Sequence, residues 1–421
     1  MRPVVGVAVV GAGPYGLSVA AHLSAQGHKP RVFGRTMETW LSRMPKGMVL
    51  KSEGFAMDLS EPQGRYSLGD FCAEQGITEY RSIGWPVPVE IFAAYGQAFQ
   101  KRFVPQVEET NVRSISRGDR GFELVLDTGD ELTARNVVIA TGIRPYAHLP
   151  AELKTLPAAL VSHSGDHGTM AEFAGRHVAV LGGGASAMDV AASLHRAGAK
   201  ATVVTRRAEV RFYSPTSFRS IKDRLLAPMT PLGPGWKKFL CVKLPDIFRV
   251  MPDSFRHKVL MRYLGPSPAW SVREIIEAHV DVRLQSTIAG AREANGGVVL
   301  TLKRADGETE DLACDHVISA TGYAVDVAQV PALDPAIRSA LRCANKAPLL
   351  SRNFETSEPG LFFVGTPSAT SFGPMLRFVC GAAFAATRVS QRIIRAEAAA
   401  RSKGGREPVF VWRPSNGSVR T

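Results

Sequence analysis

Apolar residues run without interruption from Val4 to Val10, broken only by Gly6, and end in Gly11-Ala-Gly-Pro-Tyr-Gly16. A short continuous apolar run bounded by glycines predicts a fully buried strand, and the apolar spacing after it predicts a helix over Leu17–Gln26 that stops at Gly27. Arg31–Phe33 reads as the next strand. Residues 40–110 read as irregular, with Pro, Gly and aromatics interleaved. Phe122–Leu126 and Glu131–Thr133 read as a hairpin around Asp127-Thr-Gly-Asp130, and Asn136–Ala140 as a buried strand ending in Ala140-Thr-Gly142.

The same pattern returns later. Val178–Leu181 predicts a strand, Gly182-Gly-Gly-Ala-Ser-Ala187 a turn, Met188–Ala197 a helix stopped by Gly198, and Ala201–Val204 a further strand. Residues 208–275 break the rhythm with Pro, aromatic and basic residues, and predict an inserted helical cap. Val298–Leu302 with Asp311–Leu312 predicts a second hairpin. His316–Ala320 and Leu361–Val364 predict buried strands, and 374–399 a last helix. The stripe Phe372, Phe378 and Phe384 reads as core on that helix.

The chain has 421 residues, which suits two to three domains at roughly 150 residues each. Its net charge of +13 raises the question of an anionic partner. The basic residues are dispersed and accompany no reader motif, which argues against nucleic acid. The five cysteines include no C-x-x-C pair, so a zinc site or disulfide framework is not expected. Reduced thiols and no cleavable leader predict a cytoplasmic protein. Gly11, Gly13, Pro14 and Gly16 interrupt the one segment apolar enough to suggest a membrane span. The expectation is therefore against membrane association.

Gly11-x-Gly13-x-x-Gly16 stands between a strand and a helix. Gly11 permits the tight turn, Gly13 lets the backbone approach a pyrophosphate, and Gly16 lets helix pack on strand. This predicts a dinucleotide, and the placement at the start of the chain suits FAD. A carboxylate for the ribose is expected near position 34, but the residues are Phe33-Gly-Arg35, with Glu38 four residues late. Arg35 could stack on the adenine or reach a phosphate instead. The second loop, Gly182-x-Gly184-x-Ser186, predicts another nucleotide, with the Ser186 hydroxyl free to meet its pyrophosphate. Arg206 and Arg207 follow about 20 residues on, where an acidic residue would mark NAD. Two arginines suit a 2′-phosphate, hence NADPH, with NADH as second choice.

The ordered set of two glycine loops and two Ala-Thr-Gly turns resembles the single-component FAD- and NADPH-dependent monooxygenases: the flavin-containing monooxygenases and the lysine and ornithine N-hydroxylases. The late D-x-x-x-x-A-T-G-Y of that family is matched by Asp315–Tyr323, with Thr321, Gly322 and Tyr323 in the turn. Phe33-Gly-Arg35 followed by Trp40 is similar to its F-E-R followed by Trp. Glu358–Gly365 and Ser371-Phe-Gly-Pro374 look like its final flavin-contacting strand and helix start. His163-Ser-Gly-Asp166 keeps part of the fingerprint before the second loop, while Pro157 and Ala159 stand where Phe and Gly are expected. Met44–Phe55 looks like a segment of bacterial relatives, some of them FAD-dependent urate hydroxylases.

The resemblance implies an α/β fold of two Rossmann-like domains, the second inserted in the first, with a helical cap. It divides the chain into residues 1–160 and 311–400 for FAD, 161–310 for NADPH with 208–275 as the cap, and a polar tail at 401–421. FAD and NADPH would meet Gly11, Gly13, Gly16, Arg35, Trp40, Ser52, Thr141, Gly142, Gly182, Gly184, Ser186, Arg206, Arg207, Thr321, Gly322, Tyr323 and Gly365. Lys51 and Glu53 are the candidate catalytic residues, on a segment that by resemblance passes the flavin's reactive edge. The implied reaction takes hydride from NADPH and one oxygen atom from O₂ into a small organic substrate, with urate as a lead. No metal is implied, and a homo-oligomer is compatible. Two other readings stay open: a flavin reductase serving a quinone or protein, and a non-enzymatic nucleotide-binding protein docking on membranes through an amphipathic basic helix in 236–262. Disulfide reduction would need the absent C-x-x-C.

Overall fold

The computed structural model describes residues 2–78, 86–213, 220–262 and 267–402. The tail expected at 401–421 lies almost wholly outside the described residues. Two larger sheets organise the chain. In the first, the order is Val107–Glu108, Arg31–Phe33, Val4–Val10, Glu131–Ile139, Gly121–Leu126, Val112–Gly118. Leu361–Phe363 also joins this sheet, parallel to Val137–Ile139. In the second, every pairing is parallel, in the order Asp281–Arg283, Lys200–Val204, His177–Leu181, His316–Ser319, Val161–His163. A three-stranded antiparallel sheet, Ser286–Ala294, Gly297–Arg304 and Thr309–Cys314, leads into the second sheet. The α/β class with two Rossmann-like sheets read from the sequence is the fold observed.

Burial explains the strand patterns. Val7 to Val10 and Val178 to Leu181 are all buried, because each strand pairs in parallel with a neighbour on both sides and is covered on both faces. The two sheets build separate apolar cores, one around Val9, Leu17 and Phe363 and one around Val180, Ala191 and Ile276.

Several element boundaries differ from the pattern-based reading. The two helices after the glycine loops begin earlier, at Pro14 and Ala185. The stretch 40–110 is not irregular: it holds Leu68–Glu74 and the 15-residue helix Val89–Phe103. Glu131–Thr133 and Asn136–Ile139 are one strand. The last helix is Ala382–Ser402, since Pro374–Arg377 and Val379–Gly381 are separate 3₁₀ turns. The three phenylalanines therefore do not share a helix. Phe372 and Phe384 pack with Phe354, at ring separations of 4.2 and 5.6 Å from it, whereas Phe378 sits between the two turns. No single helix covers 236–262: the segment folds as Trp236–Lys243, Pro245–Val250 and Asp253–Arg262.

Candidate active site

The two glycine loops are built alike to the level of individual hydrogen bonds. The Gly11 N–H donates to the Phe33 carbonyl at 2.8 Å, and the Gly182 N–H to the Val204 carbonyl at 2.9 Å. Ala140 and Ala320, which open the two Ala-Thr-Gly turns, each donate back to the strand before the loop, to Val10 and Leu181, both at 2.8 Å. Gly11 and Gly182 have φ of +117° and +142°, and a Cβ at either would strike the carbonyl oxygen of Ala140 or Ala320. The turns thus seat on the first glycine of each loop, which is why loop and turn recur as a pair.

Gly13 and Gly184 cap the following helices in extended conformation, with no side chain on the cap. A Cβ at Gly13 would meet nothing within 4 Å. Uncapped first-turn amides facing open space fit a pyrophosphate. Gly16 is different: a Cβ there would collide with the Gly11 carbonyl, so its role is close packing.

Around the first loop, Gly34 has φ of +114° and its Cα faces Gly11 and Ala12. A carboxylate-bearing residue would be strained there, which accounts for the missing acid. Arg35 is exposed and lies 4.0 Å from Glu38. Trp40 packs edge-on against Phe92 at 4.6 Å. Tyr15, inside the loop, donates to the Phe378 carbonyl at 2.7 Å and so ties the loop to the last turns. Gly365, at φ +76°, faces the Tyr15 ring.

The first and second units meet in a cleft of about 700 Å³, counting space open to solvent. Ser186 and Asp189 enter it from the second glycine-loop helix, Arg43 from the segment after Trp40, Arg144 from beyond Gly142, His163 from the end of a strand of the second sheet and Tyr323 from the turn after His316–Ser319. The turns are cross-tied behind it. Thr321 Oγ1 donates to the His148 carbonyl at 2.8 Å, and the His148 N–H donates to the Gly322 carbonyl at 3.0 Å. His163 accepts the Gly165 N–H on Nδ1 at 3.0 Å and sits 3.1 Å from the Gly322 carbonyl through Nε2. That pattern needs a neutral ring with its proton on Nε2, and burial holds the His163 pKa below the usual histidine value. Its ring meets Tyr323 edge-on at 4.9 Å. His167 stands apart from the cleft, bonded to Ser162 and Glu172 at 2.7 and 3.0 Å.

Lys51, Ser52 and Glu53 lie on the strand Val49–Glu53. Lys51 and Glu53 line a second, smaller cavity with Tyr213 and Trp270 of the cap rather than the main cleft. The Lys51 ammonium donates to the Ser267 carbonyl at 3.1 Å and stands 5.6 Å from the Tyr213 ring centre. Burial depresses its pKa, with Asp189 opposing that shift. Asp189 is buried in turn, and burial pushes its carboxyl up to about 7 against the pull of Lys51 and Arg196. Arg207 packs its side chain over Gly183, whereas Arg206 is exposed.

Asp189, Arg43 and Tyr15 were not read as site residues from the sequence. Only the placement of Asp189 after Ser186, on the buried helix face, could have signalled it. Arg43 Nε is buried in the cleft wall without a hydrogen-bond partner, while its Nη1 donates to the Asp166 carbonyl at 3.2 Å. An orphan guanidinium donor beside an uncapped helix start fits an anionic nucleotide in this cleft.

Residues 5–228, more than half of the chain, match the family described as pyridine nucleotide-disulphide oxidoreductase. The chain belongs to that family. Curated relatives within reach include the indole-3-pyruvate monooxygenase YUCCA1 of Oryza sativa subsp. japonica, 30% identical over 206 residues, or 48% of each chain. The FAD-dependent urate hydroxylase of Xanthomonas campestris pv. campestris is 27% identical over 48% of this chain and 39% of its own. A ferredoxin–NADP reductase of Bradyrhizobium is 24% identical over 63% of this chain and 61% of its own. The chain spans about half the length of the first two relatives. Among solved structures, the Kutzneria sp. 744 ornithine N-hydroxylase with reduced FAD, NADP⁺ and L-ornithine superposes with a TM-score of 0.72 at 17% identity, covering 94% of this chain and all of that one. The family membership and the shared fold agree with the expectation of a flavin- and pyridine-nucleotide-dependent oxidoreductase.

Proposed function

We propose that this oxidoreductase is an FAD-dependent monooxygenase that uses NADPH and O₂ to hydroxylate a small organic substrate. The observation that carries this reading is the cleft in which the second glycine-loop helix, the Tyr323 turn and the Arg43 segment converge. In this reading, residues 1–160 and 311–400 form the FAD-binding domain and 161–310 the NADPH-binding domain. Gly11, Gly13 and Gly16 would hold FAD, with Thr141, Gly142 and Gly365 beside it, and Gly182, Gly184 and Ser186 would hold NADPH. Arg207, whose side chain packs over Gly183, would meet the 2′-phosphate, with exposed Arg206 beside it.

When bound, NADPH supplies a hydride to FAD, and the reduced flavin with O₂ supplies one oxygen atom to the substrate. The chain's own residues orient the partners and exclude water. His163 holds the Gly322–Tyr323 turn. Arg43 Nε, buried without a partner, would donate to an anionic group in the cleft. Lys51 spans from the Val49–Glu53 strand to the cap carbonyl of Ser267 and toward Asp189, and so couples the cap to the cleft. Asp189, with a carboxyl near neutrality, can hold or release a proton there.

The N-hydroxylase likeness favours a nitrogen-containing substrate. Urate is supported by the partial urate hydroxylase match and by the Met44–Phe55 segment. The reductase reading rests on the ferredoxin–NADP reductase relatives. Purified yellow protein separates the two: NADPH oxidation, O₂ uptake and H₂O₂ release are followed with urate and a panel of amines. Substrate-stimulated NADPH use without matching H₂O₂ supports oxygenation. Rapid reduction of quinones or ferredoxin, with NADPH use indifferent to every organic substrate, moves the protein to the reductases.

A further inference from the structure

Eleven of the sixteen exposed large apolar side chains among the described residues fall between Ile221 and Met261. All eleven lie on the cap and face solvent. Trp236 and Leu240 on one helix and Leu244 at its C-cap, spaced by four, form a stripe; Ile247 and Val250 on the next helix and Met251 at its C-cap continue it. The inner side of the cap is satisfied: Phe248 and, on the helix Asp253–Arg262, Leu260 enter the first core, and Phe248 closes on Gly373. The outer apolar surface is therefore not core that failed to pack. An exposed patch of this extent marks an interaction surface.

Charge identifies what the surface fits. Residues 220–262 hold nine Lys and Arg against three Asp, a surplus of six within a net +13 for the chain. The three carboxylates are engaged locally: Asp246 with Arg388 at 2.6 and 2.7 Å, Asp253 with Arg256, and Asp223 in the helix cap of Ser220. Lys222, Lys237, Lys243 and Lys258 are exposed among the apolar residues. Two such faces brought together would set a surplus of six against another six, which disfavours a second copy of this chain as the occupant. Apolar side chains with Trp among lysines are the composition of a surface that lies in the headgroup region of an anionic bilayer. No helix among the described residues is long and apolar enough to cross a membrane, so the contact is in the plane of the interface.

We infer that the cap docks the protein peripherally on anionic lipid bilayers, with the Trp236–Met251 stripe inserted and the surrounding lysines on the headgroups. This inference is independent of the catalytic reading and runs against the sequence-based expectation on membrane association.

The test is flotation of the full chain with phosphatidylcholine vesicles, with and without one third phosphatidylglycerol, at low and high salt. Binding is expected only with the anionic lipid, weakened by salt, with a blue shift of tryptophan emission. Trp236→Ser with Leu240→Ser, and separately Lys237→Glu with Lys243→Glu, are expected to weaken binding at least tenfold while the melting temperature holds. All four residues are on the surface, so folding is preserved. Three results would each overturn the inference: no vesicle binding; binding that neither double variant changes; or a dimer that these variants dissociate in a protein that ignores lipid. Equal binding to polyglutamate, insensitive to the Trp236 and Leu240 changes, would reduce the effect to bare charge and overturn it too.

Discussion

Asp189 is a carboxyl buried next to the cleft, and burial raises it toward neutrality. A carboxyl whose folded pKa exceeds its unfolded value favours the folded state fully at acid pH. That contribution is lost as pH rises from the ordinary carboxylate range, near 4, through about 7. The upper bound is on the order of 4 kcal/mol, since one pKa unit is about 1.4 kcal/mol. Asp189→Asn should therefore gain melting temperature relative to the parent between pH 5 and 8, and an unchanged difference across that range would refute the burial argument. His163 gives a second check. His163→Ala leaves the Gly322 carbonyl without its ring partner and frees Tyr323. It should raise KM for NADPH about tenfold, as for a lost charge-free hydrogen bond of roughly 1.4 kcal/mol, while flavin content stays unchanged. Arg207→Ala should narrow the preference for NADPH over NADH by a similar factor, read from the ratio of the two kcat/KM values.

At the level of elements, loop and turn form one unit on each side. Gly11→Ala places a methyl on the Ala140 carbonyl at a φ of +117°, and Gly182→Ala repeats the insult at Ala320. The first should yield colourless protein. The second should keep its flavin but lose reduction by NADPH, and equal flavin loss in both would undo the assignment of loops to cofactors. These units were legible from sequence because a buried parallel strand, a glycine turn and a helix each carry a local signature. The helix Val89–Phe103 was not, although Phe92, Ala93, Tyr95, Gly96 and Phe99 follow a buried helical face. Its aromatic content and the flanking prolines masked the period. The last helix was started too early because Gly373 at φ +94° and two 3₁₀ turns interrupt an apolar run that reads as continuous. Arg43 has no signature at all: it becomes a cleft residue only because 163–168 folds beside it, through contacts such as the Lys46 N–H to the Gly168 carbonyl at 3.2 Å.

In the whole molecule, two copies of one nucleotide-binding design face each other across a cleft roofed by residues from both. The cap packs on the first core through Phe248 and Leu260 and reaches the Val49–Glu53 strand through Ser267 and Lys51. This placement puts Lys51 and Glu53 in a cavity shared with Tyr213 and Trp270 of the cap. The central claim is that the two nucleotides act on each other in that cleft. The direct measurement is anaerobic rapid mixing of the flavin-loaded protein with NADPH, followed by admission of O₂. The account predicts that NADPH bleaches the flavin in a single phase, faster than NADH does, and that O₂ restores the yellow colour. A flavin that stays oxidised under excess NADPH would contradict it.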